Sequence, residues 1–147
     1  MNINDIIPVE EVRTTCQTLG LRDWTKLDEP IVLPEEAAII RAEVGAEALM
    51  VSEGVFRKGL EIELEHGVQF PDTNVTNNHP VLTGMIVTAH LKESLDYYQR
   101  LEIAELEGDL YNAVRKNDSN KVSLKYKQLV QARLELAQEE SMNIEVA

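Results

Sequence analysis

Two glutamate–histidine pairs are the residues whose types and spacing could do chemistry. In Glu61-Ile62-Glu63-Leu64-Glu65-His66, Glu63 and His66 stand three apart; in His90-Leu91-Lys92-Glu93 the same two types recur in reverse order at that spacing. Residues three apart on an α-helix project on nearly the same face, so each pair offers an imidazole beside a carboxylate. If the two helices packed antiparallel with these faces meeting, Glu63, His66, His90 and Glu93 would supply two nitrogen and two oxygen donors. That set suits zinc, iron or manganese. An inward-facing Glu-x-x-His is also the ligand unit of ferritin-like di-iron bundles, which need two such units and two further glutamates. Here one unit reads in that order and one is reversed, so the match is partial. The competing reading is structural. A histidine in a last helical turn is favoured as a cation by the dipole, by roughly 0.3 to 1 kcal/mol, and Glu-x-x-His arises often by chance among 26 acids. Acid–base catalysis without a metal is the third use of the same groups.

The other candidates reduce to local structure. Asp72-Thr73-Asn74-Val75-Thr76-Asn77-Asn78 places oxygens at alternate positions like a calcium loop, but the sixth position is Asn77 instead of glycine and the twelfth is Thr83 instead of a bidentate glutamate. Its side chains are expected to bond local backbone and to cap the helix opened by Pro80. His79 reads as a loop or cap residue. In Asp96-Tyr97-Tyr98 the aspartate suits a first helical turn and the tyrosines a packing pair. Cys16 has no neighbouring base and reads as inert, and one cysteine makes neither an internal disulfide nor a cysteine-rich zinc site. No P-loop, dinucleotide-binding glycine fingerprint or serine nucleophile elbow is present.

These residues need helices to hold them, and the chain reads as helical. Pro8 and two acids open a helix that Gly20 stops; residues 21–33 form a connector in which Ile31-Val32-Leu33 is at most an extended strip or edge strand, and Trp24, the single tryptophan, either anchors it to the core or makes an exposed partner contact. Pro34-Glu35-Glu36 opens a second helix with Ala37, Ile40 and Val44 on one face. Ser52 caps a third over about 53–66, with Phe56, Leu60 and Leu64 on one stripe and Gly67 as a left-handed stop. A fourth runs from Pro80 to about Lys92. Ser94 starts a fifth over roughly 95–116, with Leu95, Tyr98, Leu101, Leu106 and Leu110 inward. Ser119 caps a sixth to about Glu140, with Tyr126, Val130, Leu134 and Ala137 inward. The expected fold is all-α: a single-domain bundle of five to six helices over 1–147, with an irregular N-terminal segment 1–33, a helical core 34–92 and an antiparallel helical hairpin 93–147.

Composition bounds the function. The chain has 147 residues with 26 acids against 14 bases, a formal charge of -12. A phosphate backbone or anionic lipid surface repels that charge, so neither nucleic acid nor membrane is an expected partner. No apolar run approaches the roughly 18 to 20 residues that span a bilayer. The first 15 residues lack a basic stretch followed by an apolar one, so no secretory signal is expected and the cytoplasm is the expected compartment. Residues 1–92 carry 15 acids and 7 bases, and 93–147 carry 11 and 7.

The residues Phe56-Arg57-Lys58-Gly59-Leu60-Glu61-Ile62-Glu63-Leu64-Glu65-His66-Gly67, then Thr73-Asn74-Val75-Thr76, Ala89-His90-Leu91-Lys92-Glu93 and Asp96-Tyr97-Tyr98 resemble a prokaryotic and phage family, domain of unknown function 5661. The resemblance covers about residues 53–102. It imports no activity, but it implies that Glu63, Glu65, His66, Asn74, Thr76, His90 and Tyr97 occupy motif positions. Glu65, Asn74, Thr76 and Tyr97 are accordingly expected to form a structural polar cluster. It also makes a virion or phage-accessory role an expectation. The leading functional expectation is a non-enzymatic helical interaction or assembly module, with a protein partner or self-association through the hairpin. The alternative is a metal-binding protein, as a hydrolase or oxidase, on Glu63, His66, His90 and Glu93.

Overall fold

The computed structural model describes residues 6–146; the first five residues of the expected irregular segment lie outside them. Among the described residues there are six α-helices and no strand. The chain divides into two compact units, Met1–Leu95 and Asp96–Ala147.

The first unit holds α1 (Val9–Leu19), α2 (Pro34–Val44), α3 (Glu53–Gln69) and α4 (Pro80–Glu93), linked through short 3-10 turns. Pro8 precedes α1, and Gly20 ends it at φ 71°, the left-handed conformation glycine adopts without a Cβ penalty. Helices α2, α3 and α4 pack against one another, with α1 joining through α4 and the turn at Trp24. Their shared core contains Val12, Trp24, Ile40, Phe56, Leu60, Leu64, Val87 and Leu91, all buried. The approach of α2 to α4 requires Gly84: a Cβ there would lie 2.7 Å from Ile40 Cγ2 and 3.0 Å from Val44 Cγ1.

Helix α3 runs past the expected stop. Gly67 is an interior helical residue, and α3 ends at Gln69. The glycine is needed for space: a Cβ on it would meet Asn78 Oδ1 at 2.2 Å and Asn74 Nδ2 at 2.9 Å. Ser52 caps α3 as expected, accepting from the Val55 N–H at 3.3 Å. Two expected caps are not made: neither Ser94 nor Asp96 gives α5 a side-chain cap, and the α6 cap moves by one residue. Ser94 closes α4 instead of opening α5, and Asp96 precedes α5. At the last turn Asp118, not Ser119, supplies the acceptor, taking the Lys121 N–H at 3.1 Å.

The second unit is a helical hairpin of α5 (Tyr97–Arg115) and α6 (Ser119–Val146), which pack along their length. Its apolar seam differs from the expected one. On α5, Tyr98 and Leu106 are buried, Leu101 and Leu110 half-buried, and Leu95 is exposed and precedes the helix. On α6 the buried residues are Leu129 and Leu136, with Ala132 half-buried between them. Tyr126, Val130 and Leu134, expected inward together with Ala137, are 57%, 47% and 51% exposed, and Ala137 is exposed with them. Helix α6 carries two apolar stripes, and helical spacing could not say which one meets α5.

Candidate functional site

Of the four proposed ligands, the fold brings two into contact. Glu63, near the end of α3, and His90, in the last turn of α4, approach with Oε1 and Nε2 3.5 Å apart, both largely shielded from solvent. His66 and Glu93 are exposed. Among the described residues no group of three or more His, Cys, Asp or Glu side chains is placed to hold a metal ion. The pair links α3 to α4. Also on α4, Lys92 Nζ lies 3.9 Å from Glu47 Oε2.

The loop between α3 and α4 is the better-built polar structure. Asn77 and Asn78 adopt φ 49° and 59°, the left-handed region that asparagine tolerates better than most residues. Asn74 Nδ2 donates to Asn78 Oδ1 at 3.0 Å and to the Gly67 carbonyl at 3.4 Å, while its Oδ1 accepts from the Asn78 N–H at 3.3 Å. Asn78 Nδ2 donates to the Trp24 carbonyl at 3.4 Å, and Asn77 Nδ2 to the Ile7 carbonyl at 2.6 Å. Asn78 thus ties the α3–α4 loop to the connector and Asn77 ties it to the residues before α1, while Asn74 braces the loop against α3. Of the four residues expected as a polar cluster, Asn74 sits at the centre of this knot. Thr76 contributes its carbonyl to the His79 N–H at 3.0 Å. Glu65 is exposed and accepts from Gln69 one turn on. Tyr97 belongs to the second unit, where its ring meets Tyr98 edge to face at 5.2 Å.

His79 is the N-cap of α4, its Nδ1 accepting from the Leu82 N–H at 3.3 Å. That acceptor must be unprotonated, so the neutral ring carries its proton on Nε2, which donates to Thr15 Oγ1 at 3.3 Å. Burial pushes the His79 pKa down, with the Glu11 charge pulling weakly the other way. A depressed folded pKa means that the stability it contributes is complete above the unfolded value of 6.5 and is lost as pH falls through the folded value. Thermal melts from neutral pH downward are expected to show this loss in the natural chain. In His79→Asn, which retains a capping oxygen without a titratable ring, the loss between pH 7 and pH 5 should shrink; an unchanged acid limb would exclude His79 as its source.

The deepest polar node was not legible as such. Glu36 is 2% exposed and accepts from five donors. Arg22 gives its backbone N–H and Nε, each at 3.0 Å, and Nη2 at 2.7 Å. Trp24 Nε1 donates at 3.3 Å and the Leu33 N–H at 3.1 Å. Burial opposes ionisation of this carboxyl, but the Arg22 hydrogen bond with the backbone donors outweighs it, and the pKa lies below the usual value. The signal was present: Glu36 is the third residue of a helix opened by Pro34, where a glutamate reaches back to the N-cap N–H. Glu61 plays a similar part, accepting from the Val32 N–H at 3.1 Å.

Residues 12–107 match the family described as "Protein of unknown function (DUF5661)". The chain belongs to this family. The DUF5661 match is wider than the motif-bearing stretch 53–102 and takes in Trp24, Glu36, the asparagine knot and the Glu63–His90 tie. It ends within α5, so α6 lies beyond the DUF5661 residues. No curated protein and no solved structure matches the chain. No helix among the described residues is long and apolar enough to cross a membrane.

Proposed function

We propose that this chain is a non-enzymatic helical interaction or assembly module whose partner surface is the C-terminal hairpin. The observation that carries the reading is the exposed stripe Tyr126, Val130, Leu134 and Ala137 on α6. Apolar side chains aligned along one helix face are uncovered at a cost in water and gain about 25 cal/mol per Å² when a partner covers them. The polar groups of the DUF5661 region support the same reading, because Glu36, Glu61, Asn74, Asn77, Asn78 and His79 are engaged in holding helices and loops together. Such a module works in the cytoplasm, or in a virion where the gene is phage-borne.

Size-exclusion chromatography with light scattering, on the full chain alone and after cross-linking in lysate of its source, tests the proposal. Self-association or a cross-linked partner mapped to α6 is expected. A strict monomer that cross-links to nothing would overturn it.

A further inference from the structure

We infer that the closed end of the α5–α6 hairpin is a docking site for single-stranded nucleic acid, with Lys116, Lys121 and Arg115 on the phosphates and Tyr111 as a stacking surface for a base. The site is separate from the Tyr126–Ala137 stripe, so its failure would leave the interaction-module reading untouched.

The charge of the chain is segregated. Residues 110–134 run from the end of α5 through the turn into α6, and they hold six of the 14 bases and one of the 26 acids, Asp118. They carry a formal charge of +5 within a chain of -12. Two of the six bases are neutralised inside the hairpin, Lys125 by Asp109 at 2.7 Å and Arg133 by Glu107 at 2.6 Å. Arg115, Lys116, Lys121 and Lys127 are exposed and make no ion pair among the described residues. Helix stability accounts for Arg115 and Lys116, which meet the negative end of the α5 dipole. It does not account for Lys121, which stands in the first turn of α6 at the positive end. Within the hairpin the next acids are remote: at 1.5 Å per residue, Glu105 lies about 16 Å along α5 from Lys116, and Glu135 about 21 Å along α6 from Lys121. The screening length at physiological salt is about 8 Å. The net charge disfavours a phosphate backbone on the chain as a whole, but at this end the local sign is reversed.

The cations also converge. Asn112, Lys116, Lys121 and Lys125 line a depression of about 350 Å³ across the two helices, together with Asp109 and Asp118. Both carboxylates are engaged, Asp109 with Lys125 and Asp118 with the Lys121 N–H. The Lys116 and Lys121 ammonium groups are left to meet an anion. At about 100° per residue, Lys116, Asn112, Arg115 and Tyr111 follow one another around the end of α5 over an arc of about 140°. The arc leads from the depression to a tyrosine ring that is 63% exposed, with the Arg115 guanidinium 5.7 Å from its centroid. Cations that track a backbone beside an exposed aromatic ring are the combination that holds single strands without sequence preference. An acidic peptide would use the cations but has no base to lay on the ring.

Fluorescence anisotropy of a labelled oligothymidylate with the full chain tests the site. Binding is expected at low salt, with log K falling against log salt at a slope of about -2, from three phosphate contacts at about 0.7 each. Lys116→Glu with Lys121→Glu should bring the slope to about -0.7. Tyr111→Ala should weaken binding about fivefold or more without changing the slope. Lys26→Glu with Lys92→Glu makes the same change in net charge on the first unit and should leave the slope as it is. All these positions are exposed, and far-ultraviolet circular dichroism should match that of the natural chain in every variant. Absence of binding at low salt would overturn the inference, as would an equal loss in the Lys26 and Lys92 variant. Tighter capture of polyglutamate or of anionic vesicles than of the oligonucleotide would give these cations to a different partner and overturn it too. Equal affinity for a duplex, with no effect of Tyr111→Ala, would overturn the single-strand assignment.

Discussion

Replacing Glu36 by alanine is expected to destabilise the Met1–Leu95 unit by about 3 kcal/mol. Breaking a buried ion pair by removing one partner costs roughly 3 to 5 kcal/mol, and the lower end applies because Arg22 is partly in water, its side chain 39% exposed. The loss extends beyond the pair. The Trp24 indole N–H and the Leu33 and Arg22 backbone N–H groups all lose their acceptor, and unsatisfied buried donors cost about 1 to 3 kcal/mol each where water cannot reach them. For a unit of this size the melting temperature should fall by roughly 12 to 24 °C. Trp24, the single tryptophan, hydrogen-bonds to the altered residue, so its fluorescence in a urea titration follows the affected unit directly. A midpoint within experimental error of the natural chain would show that the five donors do not depend on Glu36.

The same residue gives a pH signature. Because its folded pKa is lowered, its contribution is complete above the ordinary value of 4.5 and is lost as pH falls through the folded value. The difference in stability between the natural chain and Glu36→Gln should therefore be largest at neutral pH and narrow on acidification. The His79 contribution begins to fall below pH 6.5 and that of Glu36 only below pH 4.5, so the first part of the acid loss belongs to His79.

The second large effect is a reversal of sign between two helical glycines. Glycine inside a helix is about 1 kcal/mol worse than alanine, so substitution ordinarily stabilises. Gly108, within α5, has open space where its Cβ would lie; Gly108→Ala should stabilise the hairpin by about 1 kcal/mol. Gly67→Ala should instead destabilise the first unit by roughly 2 kcal/mol, within the usual range for an overpacked site. Its methyl would lie 2.2 Å from Asn78 Oδ1, and neither asparagine can swing clear without releasing the Trp24 or Gly67 carbonyl. Thermal melts of the two variants side by side decide the matter: the same sign in both would refute the close approach at Gly67.

Much of the helical framework was legible because its signals are local. Pro8 and Gly20 bound α1, Pro34 opens α2, Ser52 caps α3 and Pro80 opens α4. Each works through φ restriction or one hydrogen bond within a turn. Legibility failed where two local signals competed. Gly67 looked like a stop because glycine usually is one there; its small size was required instead by a loop that returns after seven residues. At 118–119 adjacent polar residues offered alternative caps, and Asp118 is the one that accepts. On α6 two stripes had similar apolar content, and the choice of buried face depended on a second helix.

The candidate site divides in the same way. The sequence by itself determined an all-helical chain of DUF5661 type, the residue types at Glu63, His66, His90 and Glu93, and the asparagine-rich loop. Tertiary structure decided that Glu63 meets His90 while His66 and Glu93 face solvent, that Glu36 is a buried acceptor for five donors, and that Tyr126, Val130 and Leu134 point outward. Spacing fixes only the angle between side chains on one helix. Contact across helices depends on the rotation of each helix about its own axis, and that rotation is set by the sum of its packing contacts, which no short motif records.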